Sequence, residues 1–160
     1  MTIHVERHFG CRVVDGEVED SRKLRGPDGV NDVAFSAREL QRGTEKLYVV
    51  ERNGEFCYVG RTGTSVQARI QGGLNARYPY RWRRCSYVDL CICLLGCKAN
   101  RDYGEGVEAE LVHLLRLGER RRAGKWPSDQ HEIHFRHTRG EPNPKCVSAA
   151  RDIYRKLTGK

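Results

Sequence analysis

Residues 47–70, LYVVERNGEFCYVGRTGTSVQARI, bring two phenols, Tyr48 and Tyr58, and one arginine, Arg69, into a short length of chain. A guanidinium offers a fixed fork of donors that suits a phosphate oxygen. A phenol ionises near pH ~10, so it works near neutrality only beside positive charge. Lys46, Arg61 and Arg69 are the nearby sources. Further on, VEAELV carries Glu108 and Glu110, whose carboxylates are the kind of oxygen ligand that hard divalent cations take. Together these groups suit chemistry at a phosphate.

The bulk composition fits such a partner. The chain has 160 residues, with 29 Lys+Arg against 21 Asp+Glu, a net charge of +8 and a pI near 9.3. Basic residues cluster in RWRR (81–84), at Arg116 with ERRRAGK (119–125), and at Arg151, Arg155 and Lys156. The expected partner is a polyanion, most simply nucleic acid. Within YPYRWRRC, Arg83 and Arg84 suit phosphates, while Trp82 suits either stacking on a base or anchoring a long loop. No apolar run reaches the length of a membrane span, and the N-terminus lacks the pattern of a secretion signal. Seven cysteines without regular spacing fit a reducing compartment, and the expected location is the cytoplasm.

The elements that must position these groups follow from patterning. TIHVERHF alternates like a strand, residues 20–32 read as loop, and 36–42 suit a short helix capped by Ser36. KLYVVE and EFCYVG are two strands joined through Asn53-Gly54. A helix over 65–71 follows, with Val66 and Ile70 on one face and Gly72-Gly73 ending it. SYVDLCICLL (86–95) is a strand apolar on both faces, and 105–117 is a helix with Val107, Leu111, Leu114 and Leu115 inward. After Pro142 and Pro144 comes an amphipathic helix with Val147, Ala150, Ile153, Tyr154 and Leu157 on its apolar side. The expected fold is α+β: a small three-stranded, mostly antiparallel sheet flanked by helices. Residues 46–135 are expected to form the core, with an N-terminal extension over 1–45 and a C-terminal one over 136–160.

KLY, then YVG after nine residues, then Arg69 on a helix and VEAELV on a later helix, resemble the GIY-YIG nuclease superfamily over roughly residues 46–115. The resemblance implies a three-stranded antiparallel core and a metal-dependent endonuclease that cleaves phosphodiesters with one divalent ion, Mg²⁺ or Mn²⁺. It implies Tyr48 as general base, Tyr58 orienting water or phosphate, Arg69 as phosphate clamp and Glu108 as metal ligand. Lys46, Arg61, Trp82, Arg83 and Arg84 would assist substrate binding, with DNA favoured over RNA. Helical periodicity leaves Glu108 and Glu110 equivalent, and the resemblance selects Glu108. Lys46 stands where the family has glycine, one extra residue separates YVG from Arg69, and QGG replaces the histidine often found after that arginine. No asparagine stands at the family's distance after the glutamate; Gln130 or His131 could take that place, Asn100 and Asn143 being poorly positioned. These departures keep open a binding module of the same fold without catalysis.

A shared site also makes a demand on register. A two-residue Asn53-Gly54 turn pairs Tyr48 with Val59 and puts the tyrosines on opposite faces. A three-residue loop over 52–54 pairs Tyr48 with Tyr58 and puts them on one face. The site requires the second arrangement. Cys85, Cys91, Cys93 and Cys97 share strand parity, but Cys85 and Cys97 would lie roughly 40 Å apart on an extended strand. Buried small hydrophobes therefore suit these cysteines better than a zinc cage. His131, Glu132 and His134 suit either a metal or the polar side of an edge strand.

Overall fold

The strand around SYVDLCICLL becomes the middle of the sheet, because a strand apolar on both faces needs cover on both and partners on either side. In the computed structural model, residues 3–14, 17–23, 40–52, 54–75, 87–115 and 143–160 are described. Among them are five strands, β1 (His4–Val14), β2 (Glu17–Lys23), β3 (Thr44–Arg52), β4 (Glu55–Thr62) and β5 (Tyr87–Lys98). Three helices accompany them, α1 (Val66–Asn75), α2 (Arg101–Leu114) and α3 (Pro144–Thr158). The sheet order is β2-β1-β5-β3-β4, and the four neighbouring pairs are antiparallel.

The α+β class is as expected, but the sheet is larger than three strands. β4, β3 and β5 are neighbours at one side of it. β1 and β2, from a stretch read as an extension, continue the same sheet beyond β5. Residues 20–23, read as loop, belong to β2.

One face of the sheet carries Leu47, Val49, Val59, Cys91, Cys93 and Leu95. They form a single buried cluster with Val107, Leu111, Val112 and Leu115 of the α2 region and Ala149, Ala150, Ile153 and Leu157 of α3. Each large aliphatic side chain buried there contributes about 1.5–3 kcal/mol. Tyr48, Val50, Tyr58, Leu90 and Ile92, of the opposite parity, are buried too, and Val66 and Ile70 of α1 are fully buried outside that cluster.

Helix ends follow local chemistry. α2 begins before the expected position because the Asn100 side chain accepts from Tyr103 N at 3.1 Å and caps it. α1 runs through Gly72-Gly73 to Asn75 instead of stopping there. A glycine costs a helix only about 1 kcal/mol, so it permits a stop without enforcing one. α3 has Asn143 as N-cap, Pro144 in its first turn and Gly159 at φ 72° as its end. Lys156 Nζ donates to the carbonyl of Ile3, tying this helix to the start of β1. Among the described residues no helix is long and apolar enough to cross a membrane.

Candidate active site

The β3–β4 hairpin meets the demand for a shared tyrosine face by a route outside both expected arrangements. Arg52 pairs with Glu55 and Glu51 with Phe56, which is the register of a two-residue turn, and Gly54 takes φ 78°. The register then slips: Val50 pairs with Tyr58, Val49 with Val59 and Tyr48 with Gly60. Cys57 is the extra residue of a β-bulge. It restores the parity that the short turn would have cost, and both tyrosines fall on one face as diagonal neighbours. Their rings stack with centroids 6.0 Å apart.

Opposite Tyr48 stands the glycine of YVG. A Cβ built on Gly60 would lie 2.2 Å from both Cζ and Oη of Tyr48. The missing side chain lets the phenol lie across β4, the last strand of the sheet among the described residues. Tyr48 is 1% exposed and Tyr58 7%.

α1 and α2 bring charge near this phenol. Ser65 Oγ accepts from Ala68 N at 3.1 Å and caps α1, whose exposed Arg69 lies one turn beyond. Burial pushes the Tyr48 phenol above its ordinary value. The Arg69 charge, and hydrogen bonds donated by Arg69 and Tyr58, pull it back, while Glu108 adds to the rise. Glu108, on α2, is 8% exposed. Burial pushes its carboxyl up to about 8, against the opposing charges of Arg69 and Arg61. Glu110 lies near Cys146 of α3, whose thiol is raised first by burial and then by that glutamate. Glu108 thus lies near Tyr48 and Arg69, and Glu110 near Cys146 of α3.

Lys46 and Arg61 sit differently from expectation. Lys46 is fully buried, and its Nζ donates to Gln41 O (2.6 Å), Thr44 O (2.8 Å) and Thr44 Oγ1 (3.1 Å). A buried ammonium with three oxygens is a structural tie for residues 41–44, so Lys46 is not a surface phosphate contact. Arg61 pairs side-on with Glu45, Nε to Oε1 at 2.5 Å and Nη2 to Oε2 at 3.0 Å. The Arg61 side chain remains 20% exposed and its charge still acts on Glu108. Glu45, Gly60 and Gly104 are the residues here that sequence reasoning missed. The two glycines of YGEG inside a helical stretch were the available signal, since a helical glycine often marks close approach. A Cβ on Gly104 would fall 2.0 Å from Glu45 Oε1.

Among the described residues no group of three or more His, Cys, Asp or Glu could hold a metal ion. The fit for a cation therefore rests on Glu108. Glu108 is a buried carboxyl near Arg69 and Arg61 that burial raises to about 8, so a divalent ion would have to displace its proton to be held there. Among the described residues Cys91, Cys93, Cys97 and Cys146 are not joined in disulfides. Asn100 and Asn143 both cap helices. Trp82, Arg83, Arg84, Cys85, Gln130, His131, Glu132 and His134 lie outside the described residues. Set against protein-family models, curated proteins and solved structures, the chain matches none.

Proposed function

We propose that the chain is a GIY-YIG-type endonuclease that hydrolyses phosphodiester bonds of nucleic acid, DNA before RNA, with one Mg²⁺ or Mn²⁺ ion. The observation that supports this reading is the convergence of Tyr48, Tyr58, Arg69 and Glu108, from two strands and two helices, at β4. Arg69 touches Tyr48 and is exposed, so it clamps a phosphoryl oxygen beside the phenol. Tyr48, as phenolate, takes the proton of the attacking water. Tyr58 and Arg69 stabilise that phenolate by donating to its oxygen. Glu108 would hold the divalent ion. Such an ion would supply positive charge that polarises the phosphate, assists the leaving oxygen and helps a buried phenol to ionise.

The raised Tyr48 phenol favours one alternative, a nucleic-acid-binding module that grips phosphate through Arg69 and does not cut. Cleavage of end-labelled single-stranded DNA, duplex DNA and RNA in Mg²⁺, Mn²⁺ or EDTA separates the two. Metal-dependent cutting that Glu108→Ala abolishes is the expected result. Binding without cutting under every condition moves the assignment to the binding module, and cutting that survives Glu108→Ala removes Glu108 as ligand.

A further inference from the structure

Glu45 takes no part in the proposed reaction, yet its carboxylate is fully buried beneath the site. Both oxygens are used: Oε1 accepts from Arg61 Nε, and Oε2 accepts from Arg61 Nη2 and from the backbone N of Asn100 at 2.8 Å. A charge in that position is stable only with such a set of partners. Three elements meet on it, β3, β4 and the start of α2. Gly104 gives it room, since any side chain there would occupy the carboxylate's place. Gly104 and Glu108 stand four residues apart, so they share a helix face about 6 Å apart along the axis. The side-on pair uses Nε and one edge of Nη2, which turns Nη1 away from Glu45. Arg61 is thereby held as a partly exposed cation on β4 whose charge acts on Glu108, as that of Arg69 on α1 does.

We propose that Glu45 is a positioning residue: it clamps Arg61 side-on and pins the first turn of α2, so that Arg61 is presented to a phosphate bound beside Glu108. The proposal rests on the nuclease reading, with Arg61 as a second phosphate contact. Its test uses full-length wild type, Glu45→Gln, Arg61→Lys and the double variant, each checked by thermal melting. Single-turnover cleavage in Mn²⁺ and the anisotropy of a fluorescein-labelled oligonucleotide in EDTA are measured for all four.

Each single variant is expected to cut about ten- to a hundredfold more slowly. The double variant is expected to be no slower than the slower single, because both break one clamp. A Glu45 that only supports the fold lowers the melting temperature and leaves the folded protein cutting at the wild-type rate; that result overturns the proposal, as do losses that multiply. Should Glu45→Gln fail to fold, Arg61→Lys decides alone. Lysine keeps the charge but loses the side-on fork, so a wild-type rate overturns the clamp. If wild type cuts nothing, the nuclease reading fails and oligonucleotide affinity decides the clamp. A non-additive loss of affinity supports it, and unchanged affinity overturns it.

Discussion

Gly60→Ala is the smallest change that tests the geometry around Tyr48. The added methyl would lie 2.2 Å from Cζ and Oη of Tyr48 and 2.7 Å from Cε1. Ordinary carbon contacts begin at about 3.5 Å, so the ring has to retreat by about 1.3 Å or more. It has little room to do so, being 1% exposed with the Tyr58 ring stacked against it. Overpacking of this kind costs about 1–3 kcal/mol. For a chain of this size that corresponds to a fall of about 2–12 °C in melting temperature. The functional effect should be larger, because a displacement of ~1 Å at a reacting group costs about a hundredfold in rate.

Gly72→Ala is the matched control. Nothing lies within 4 Å of a Cβ there, and the residue is exposed within α1. Alanine should therefore stabilise the helix by about 0.5–1 kcal/mol. Circular-dichroism melts and single-turnover cleavage measure both variants. The reasoning fails if Gly60→Ala melts and cuts as wild type does, or if the two substitutions shift the melt in the same direction.

Two further expectations follow from charge. The Glu108 carboxyl, raised to about 8 by burial, holds its proton more tightly in the folded chain than in the unfolded one. Stability should therefore fall as pH rises from the ordinary glutamate range to about 8, by at most about 1.4 kcal/mol per unit, and level off above it. Melts across pH should show Glu108→Gln without that slope. Mn²⁺ titrations by calorimetry should show affinity rising up to about tenfold per pH unit below pH 8, as metal and proton compete for one site. Lys46→Met should lower the melting temperature by removing the donor to Gln41 and Thr44 oxygens. It should leave the salt dependence of oligonucleotide binding unchanged, whereas Arg69→Ala should reduce that slope by about one. A reduced slope in a folded Lys46→Met would return Lys46 to the phosphate surface.

What was legible in the sequence was mostly local. The apolar β5 strand, the Asn53-Gly54 hairpin and a last helix framed by Asn143, Pro144 and Gly159 follow from short-range chemistry. The failures were of two physical kinds. A bulge leaves no composition signal: Cys57 looks like any strand residue, so turn length alone gave the wrong menu of registers for Tyr48. Long-range pairing is also hidden. β1 and β2 join the sheet only because β5 offers a second side, and Glu45 is buried only because Gly104, on a helix distant in the chain, leaves a space for it. Lys46 read as surface charge for the same reason, since its burial depends on the fold of residues 41–44. Periodicity also says nothing of the neighbours of Glu108 and Glu110, which lie near the arginines and near Cys146 respectively.

The bulge at Cys57 bears on how the molecule treats its own copies. Among the described residues β4 is the last strand of the sheet, and a regular outer strand offers a row of amides and carbonyls that another chain can extend. An extra residue in that strand breaks the row's spacing and increases its twist, so an incoming strand finds no continuous ladder. The insertion that brings the two phenols together thus also breaks the regular spacing of the last described strand of the sheet.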